Sequence, residues 1–282
     1  MKFSAGQTLG GYEFVDVLDT PGFGVSYKVR NLAQNRLESL KALPEDLRGS
    51  SHGLERFRRE IKIHERLSHP NVVRFYKACE IDGHLVITTE LIEGLSLKQR
   101  LADKCLSLKE GIGYLSAALA GLGYLHEHGV VHRCVHPGNL IVDRHNRVKL
   151  AGLSYATKAM DPKLTLQGFT IGVADYMAPE QVASTPTLDG RADLYSIGAI
   201  FYEIATGKPP FSSKSAFDTM QAHLHTEPAP PTKVNRGLPL EVDRVILTAL
   251  AKDRAGRFST AGEFQVALAA LEPVLCEAVA GT

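Results

Sequence analysis

The sequence is poor in cysteine, has almost no net charge and lacks long apolar runs. Its four cysteines, Cys79, Cys105, Cys134 and Cys276, show neither a Cys-x-x-Cys pair nor a regular spacing. We therefore expect reduced, mostly buried thiols rather than a disulfide framework. The net charge of +1, from 32 basic and 31 acidic residues, provides no overall field that attracts nucleic acid or anionic lipid. Partner recognition is expected to depend on local sites, and no nucleic-acid partner is predicted.

No targeting or membrane-spanning segment is expected from the sequence pattern. The N-terminal sequence MKFSAGQTLGGYEF has no apolar block of the length that a signal peptide needs. The most apolar stretches, Leu115 to Leu125 and Leu194 to Ala205, are interrupted and too short to span a bilayer. The sequence therefore predicts a chain with no membrane segment and a cytoplasmic location.

The spacing of apolar residues predicts strands in the first third of the chain. Residues 12–43 alternate apolar and polar side chains, which is typical of an antiparallel meander. The spacing becomes helical from Gly53 to Leu67. Two further strands are predicted, from Val72 to Ala78 and from His84 to Thr89.

Beyond Glu93-Gly94 the pattern is mainly helical. The predicted helices are Leu106 to His128, Leu194 to Thr206, Pro239 to Ala251 and Thr260 to Leu271, with short strands at Leu140 to Val142 and Val148 to Leu150. This order predicts an α+β fold with two lobes. The small antiparallel β-rich N-lobe (about 12–89) contains one helix, and the larger C-lobe (about 95–275) is mainly helical. A hinge (90–94) joins them, and residues 1–11 and 276–282 form an N-terminal extension and a tail. The cleft between the lobes is the expected ligand site.

The most informative motif is the run HRCVHPGNLIV, from His132 to Val142. It resembles the catalytic loop His-Arg-Asp-x-x-x-x-Asn of protein kinases, in which the aspartate accepts the substrate proton and the asparagine holds magnesium. His132, Arg133 and Asn139 are retained, but Cys134 stands where the family has the aspartate.

Further elements follow in the order that this family keeps. They are Lys41 in SLKAL, Glu60 in FRREIKIHERLSHPNVV, Thr89-Glu90-Leu91-Ile92, Met177-Ala178-Pro179-Glu180, Asp193 in ADLYSIGAIFYEIATGKPPF, and Arg257 in KDRAGRFST. From about Tyr12 to Leu271 the chain therefore resembles a eukaryotic-type (Hanks-type) serine/threonine protein kinase domain. A lone Lys–Glu pair is usually a surface salt bridge, so the order and spacing of the elements carry this identification.

The resemblance implies a role for each matching residue. Lys41 is expected to position ATP and to pair with Glu60, and Glu180 is expected to pair with Arg257. Asp193 is expected to anchor the catalytic loop. The nucleotide cleft is expected to include the gatekeeper Thr89, the hinge residues Glu90 and Ile92, and Ile141 on its floor.

Groups that phosphoryl transfer needs are missing from the positions that the family uses. Gly152-Leu153-Ser154 aligns with the Asp-Phe-Gly triplet, so Gly152 offers no carboxylate to magnesium, although Leu153 keeps the apolar group. His136 and Val173 replace a lysine and a threonine that assist the catalytic aspartate. Because a thiol is mostly protonated at neutral pH, Cys134 does not replace the aspartate. We expect no magnesium site, since Asn139 alone is a poor ligand set.

The glycine-rich phosphate loop is altered too. Asp19 and Pro21 occupy its first two glycine positions, Gly24 keeps the third, and Gly22 is additional. Asp19 adds negative charge beside phosphate, and Pro21 removes an N–H donor. Both changes oppose ATP binding.

The adenine side of the cleft carries Ser26 and Ser39 in place of apolar residues. Lys41, Glu60, the hinge and Ile141 nevertheless suit a nucleotide. Two interpretations stay open: weak, metal-independent ATP binding, or a Lys41–Glu60 pair that is only a structural strut.

Other residues allow more than one interpretation. Cys134 and His136 are either an acquired thiolate–imidazole pair or neighbours by chance. His64, where the family usually has leucine, is either a core histidine or a pH-sensitive position. Thr165 and Thr170 are either exposed polar residues or phosphorylation sites that face Arg133.

These features favour a pseudokinase, a kinase-like domain without phosphotransfer that regulates or scaffolds a protein partner, such as an active kinase or its substrate. A sensor that uses the cleft without chemistry overlaps this interpretation. The alternative is a serine/threonine kinase with low or atypical ATP-dependent activity.

Overall fold

The computed structural model describes residues 3–18, 24–43, 51–103, 106–158 and 173–275. Within them, the N-lobe contains an antiparallel sheet with the strand order β1-β2-β3-β4-β6-β5. The strands are β1 (Thr8–Leu9), β2 (Tyr12–Leu18), β3 (Val25–Asn31), β4 (Arg36–Ala42), β5 (Phe75–Ile81) and β6 (His84–Glu90). Phe3, Tyr12 and Phe14 pack with Tyr27 and Leu40 on one face of this sheet.

Helix α1 (Ser51–His64) lies against the other side of the N-lobe sheet. Its residue Phe57 is fully buried and packs with Leu43 and Ile87. Glu60 follows Phe57 by three residues and therefore projects from the same helix face. This geometry brings the Glu60 carboxylate to Lys41 on β4.

The C-lobe is mainly helical. In chain order its elements are β7 (Gly94–Ser96), α2 (Leu97–Ala102), α3 (Leu108–Glu127), β8 (Val130–Val131), β9 (Leu140–Asp143), β10 (Val148–Leu150), β11 (Thr157–Lys158), α4 (Pro179–Val182), α5 (Arg191–Thr206), α6 (Ala216–His225), α7 (Pro231–Val234), α8 (Leu240–Ala249) and α9 (Ala261–Ala269). Helices α3 and α5 contribute fully buried residues to one core, among them Leu115, Leu119, Ile197 and Phe201. Within the described residues, no helix is long and apolar enough to cross a membrane.

A short segment after α1 fastens the N-lobe to the C-lobe. The Leu150 N–H donates to Asn71 O at 2.8 Å, and the Val73 N–H donates to Leu150 O at 3.0 Å. Gly121 of α3 allows this approach, because a Cβ there would lie 2.9 Å from Asn71 O. The base of the N-lobe is therefore tied to the strand that leads into Gly152.

The predicted two-lobed α+β fold is confirmed, but several boundaries were wrong. Helix α1 ends at His64 rather than Leu67, and the next strand begins at Phe75 rather than Val72, because residues 71–73 bond to the C-lobe. Helix α5 begins at Arg191 and so includes Asp193. Among the elements that were not predicted from the sequence are helix α6 and the small strand β1, which pairs with β2.

Candidate functional site

Asp193 holds the segment that resembles the kinase catalytic loop. Its carboxylate accepts the His132 N–H at 2.9 Å, the Arg133 N–H at 2.8 Å and His126 Nε2–H at 2.8 Å. Arg133 has φ of +64°, a left-handed conformation that the two backbone bonds help to stabilise. Burial opposes ionisation of Asp193, but the donors from His126 and His132 keep its pKa below the ordinary value.

His132 connects this loop to the strand before Gly152. Its Nε2–H donates to Ala151 O at 2.9 Å, and its Nδ1 accepts the Cys134 N–H at 3.3 Å. The ring is fully buried, and burial lowers its pKa. A neutral His132 therefore serves as a structural bridge between the catalytic-loop segment and β10.

Neither Cys134 nor His136 carries charge in this environment. Burial, followed by the nearby Asp193 carboxylate, raises the pKa of the Cys134 thiol to about 12. Burial lowers the pKa of His136 to about 4, and its Nδ1 accepts the Gly138 N–H at 3.1 Å. A protonated thiol beside a neutral imidazole that is already bonded to the backbone is not a thiolate–imidazole pair.

Asn139 lies directly against Gly152. The Asn139 Nδ2–H donates to Cys134 O at 2.8 Å. A Cβ built on Gly152 would lie within 2.5 Å of the Asn139 side-chain amide, so this amide occupies the space in which a residue-152 side chain would begin. Within the described residues, no group of three or more His, Cys, Asp or Glu side chains is placed to hold a metal ion. Position 152 therefore supplies no carboxylate, and the Asn139 amide fills the space next to it.

The backbone of the segment Gly152-Leu153-Ser154 is fixed by the conformation of Gly152 and the packing of Leu153. Gly152 has φ of +82°, and Leu153 is 2% exposed within the C-lobe core. The turn Leu153–Tyr155 then brings Ser154 to the cleft. The apolar packing predicted for Leu153 is thus present in the structure.

Lys41, Glu60 and Ser154 form a compact polar cluster between the lobes, defined here as the Lys41 cluster. Lys41 Nζ lies 2.9 Å and 2.7 Å from the two Glu60 carboxylate oxygens and 2.6 Å from Ser154 Oγ. Ser154 Oγ–H also donates to Glu60 Oε1 at 3.3 Å. The sequence predicted the Lys41–Glu60 pair and missed Ser154, whose signal was a hydroxyl at a position where the family has glycine.

The roof of the cleft carries the predicted hydroxyl groups. Ser26 pairs with Lys41 across β3 and β4, and Ser39 pairs with Thr89 across β4 and β6, so these side chains share one face of the sheet. Ser26 is buried, and Ser39 and Thr89 are partly exposed. This face is more polar than an adenine site covered by apolar residues.

Gly24 lies close to the stem of Lys41. It has φ of +117°, and a Cβ there would lie 3.0 Å from Lys41 Cε and 2.9 Å from Ala42 O. Only glycine fits this approach. Gly22, like Asp19 and Pro21, lies outside the described residues.

Glu90 joins the hinge to the C-lobe. Its Oε1 accepts Lys149 Nζ–H at 2.6 Å and the Arg74 N–H at 2.7 Å. On β9, Ile141 pairs with Ser96 of β7 and with Lys149 of β10, and both Ile141 and Ile92 are partly buried. The Glu90 carboxylate is thus already bonded to both lobes, and the role of Glu90, Ile92 and Ile141 in a nucleotide cleft stays a prediction.

Glu180 and Arg257 form a buried ion pair in the C-lobe. Arg257 Nη1 and Nη2 donate to the two Glu180 oxygens at 2.7 Å and 2.9 Å. The remaining N–H groups of Arg257 donate to Ala251 O, Arg191 O and Lys252 O. The predicted pair is present, and all five guanidinium donors are used.

His64 is a core residue of α1. Its Nε2–H donates to Val73 O at 2.8 Å, while Nδ1 is buried without a partner among the described residues. Burial lowers the pKa of His64. These contacts favour the interpretation of His64 as a core histidine that joins α1 to the segment that follows it.

A pH prediction follows from His64. Because the pKa in the folded state is lower than in the unfolded state, the unfolded chain takes up the proton first as pH falls below about 6.5. His64→Leu is therefore expected to reduce the loss of stability between pH 7.5 and pH 5, as measured by urea unfolding at both values. His225→Leu, a change at an exposed histidine of α6, is the control. An unchanged loss in His64→Leu would contradict the prediction.

Comparison with known proteins places these features in a family. Residues 12–268 match the family described as "Protein kinase domain". The chain is 34% identical over 277 residues to the serine/threonine-protein kinase PknJ of Mycobacterium tuberculosis, a match that covers 95% of this chain and 46% of that protein. It is 33% identical over 264 residues to PknB of Mycolicibacterium smegmatis, covering 91% of this chain and 42% of that protein.

A solved structure agrees with the sequence relatives. The kinase domain of Mycobacterium tuberculosis PknI matches with a TM-score of 0.74 at 27% identity, over 95% of this chain and 99% of that one. This chain spans less than half the length of PknJ and PknB. The match to the family over most of the chain, together with the Lys41–Glu60 and Glu180–Arg257 pairs, shows that the chain belongs to the protein kinase domain family.

Proposed function

We propose that this kinase domain is a pseudokinase, which binds and regulates another protein without transferring phosphate. The observation that carries the proposal is the contact of the Asn139 amide with Gly152, beside a buried and protonated Cys134. The positions that the family uses for the metal carboxylate and for the proton acceptor therefore supply neither group.

The size of the two losses supports inactivity. Removal of a general base typically lowers a rate by a factor of ~10² to 10⁴. Removal of the metal carboxylate also weakens the electrostatic stabilisation that usually dominates phosphoryl transfer. Because both changes fall in one site, we propose that magnesium does not bind and that any ATP binding is weak and independent of metal.

The partner is proposed to be a protein, either an active kinase or its substrate, met in the cytoplasm. Residues that maintain the kinase shape are intact, including the Lys41–Glu60 pair, the Asp193 contacts and the Glu180–Arg257 pair. A domain that keeps the kinase fold but lacks the two catalytic carboxylates suits a role in binding another protein. The nearly neutral chain gives no reason to propose a nucleic-acid partner.

A serine/threonine kinase of low activity is the second candidate. It is favoured by the short Lys41–Glu60 contact of 2.7 Å, which matches the arrangement that active kinases require. It requires Asn139 to leave Gly152 and to hold a metal with phosphate oxygens alone. The relatives named as serine/threonine kinases supply the precedent for such activity.

Thermal unfolding with ATP or ADP, each with magnesium, manganese or EDTA, separates the two candidates. A pseudokinase is expected to show no metal-dependent rise in melting temperature and no phosphotransfer to protein substrates. Ligand at 100 times Kd would add about 2.7 kcal/mol, or roughly 5 °C for a domain of this size. A rise of that size that requires magnesium would contradict the proposal.

A further inference from the structure

Ser154 adds a third member to the Lys–Glu pair of this cleft. It lies in the turn Leu153–Tyr155 of the C-lobe, whereas Lys41 and Glu60 belong to the N-lobe. Its hydroxyl oxygen accepts from Lys41 Nζ at 2.6 Å, and its proton is directed to Glu60 Oε1 at 3.3 Å. One buried hydroxyl group thus bonds to both members of the pair and connects the two lobes.

These contacts use the hydrogen-bonding capacity of Lys41. An ammonium group has three N–H donors, and Lys41 Nζ has three oxygen neighbours within 2.9 Å, two from Glu60 and one from Ser154. A phosphate oxygen that approaches Lys41 must therefore displace one of them. Ser154 is the more easily displaced partner, because its hydroxyl is neutral whereas Glu60 carries the opposite charge.

The surroundings hold Lys41 in this position. Its side chain is 16% exposed, its ammonium lies 5.6 Å from the centre of the Phe57 ring, and its stem lies beside Gly24. Ser154 is also buried. Since α1 contributes Glu60 and Phe57, the contact with Ser154 fastens this helix to the C-lobe.

We propose that Ser154 is a positioning residue that ties Lys41 and Glu60 to the C-lobe. Its contacts keep α1 against the cleft without nucleotide or metal. They also reduce the access of anionic phosphate to Lys41. This inference rests on the proposed function and deepens it, because it names the contact that regulates the cleft. A release of Ser154 would free one donor of Lys41 for a polyphosphate ligand and loosen α1.

Hydrogen exchange tests the effect on α1. Ser154→Gly, which restores the residue usual in the family, and Ser154→Ala are expected to speed the exchange of α1 amides roughly tenfold relative to amides of α3 and α5. The matched control is Ser196→Ala, which also removes a buried serine hydroxyl, here one that donates to Tyr176 O at 2.7 Å in the C-lobe. The control is expected to leave α1 exchange unchanged. Equal α1 exchange in wild type and both Ser154 variants would overturn the proposal.

Binding of polyphosphate tests the effect on Lys41. The probes are ATP and inorganic tripolyphosphate, each with EDTA, measured by calorimetry. Ser154→Gly is expected to bind tripolyphosphate roughly tenfold more tightly than wild type, a gain that requires Lys41 and disappears in Ser154→Gly/Lys41→Met. An unchanged affinity for both probes would overturn the statement about phosphate access.

The two proposals fail in different ways. Phosphotransfer by wild type would remove the proposed function, but the α1 exchange of the Ser154 variants would still decide the role of Ser154. If wild type does not transfer phosphate and α1 of both Ser154 variants exchanges at the wild-type rate, only the positioning role of Ser154 is contradicted.

Discussion

Cys134→Asp/Gly152→Asp is expected to gain magnesium-dependent ATP binding and to transfer phosphate at a rate at least about 100-fold above the background measured with wild type. The two substitutions return the proton acceptor and the metal carboxylate to a domain that keeps the Lys41–Glu60 pair and the Asp193 contacts. Lys41 and Glu60 are paired, and Asp193 holds the catalytic-loop backbone. Binding is measured by thermal unfolding with and without magnesium, and phosphotransfer with labelled ATP.

The structure shows how position 152 can accept aspartate. Its φ of +82° lies in the left-handed region, where aspartate is tolerated better than most residues with a Cβ. The Asn139 amide must turn away from residue 152, because it lies within 2.5 Å of the new Cβ. That rotation weakens the 2.8 Å bond that the Asn139 Nδ2–H donates to Cys134 O and redirects the amide oxygen, a candidate metal ligand. The substitution therefore moves Asn139 at a cost in stability.

The matched control is Cys134→Asn/Gly152→Asn, which adds side chains of similar size without carboxylates. It is expected to remain inactive and to show no magnesium-dependent stabilisation. If the aspartate variant also stays silent while it remains folded, the two carboxylates are not the decisive loss. The changes at Asp19 and Pro21 in the phosphate loop would then account for the inactivity.

Residue patterns predicted the fold and many members of the site. The order of the family motifs was sufficient to predict the two-lobed fold, because each motif has a characteristic local sequence. These motifs contain Lys41, Glu60, the His132 segment, Glu180 and Arg257. Alternation of apolar residues also placed β9 and β10 within one residue. Local pattern and motif order thus carried the information for the architecture.

Contacts between distant residues could not be predicted in this way. Ser154 meets Lys41 across 113 positions, and only the folded chain brings them together. The same holds for Val72 and Val73, which were predicted to begin a strand, although the backbones of Asn71 and Val73 bond to Leu150. The contact of Asn139 with Gly152 depends on how the catalytic-loop segment and the segment after β10 approach each other in the folded chain. The sequence identified the missing carboxylate but did not show that an amide fills its place.

Arg257→Lys is expected to lower the free energy of unfolding by about 3–5 kcal/mol, because it breaks a buried ion pair and leaves acceptors without partners. Arg257 is fully buried at its side chain and bonds to Glu180 with two parallel contacts. Lysine keeps the charge, but its ammonium has three donors in place of five and cannot form the paired contact. Urea unfolding at neutral pH measures the loss.

Arg254→Lys provides the comparison, because Arg254 pairs with Asp189 at 3.5 Å with its side chain 39% exposed. Exposed pairs contribute about 0–1 kcal/mol, so this variant is expected to unfold nearly as wild type does. A loss under about 1 kcal/mol in Arg257→Lys would contradict the assignment of the Glu180–Arg257 pair as a main support of the C-lobe. A large loss in Arg257→Lys alone would show that the fold needs this pair for stability independently of phosphotransfer. The pair holds α4 to the loop before α9, and it touches neither Cys134 nor Gly152.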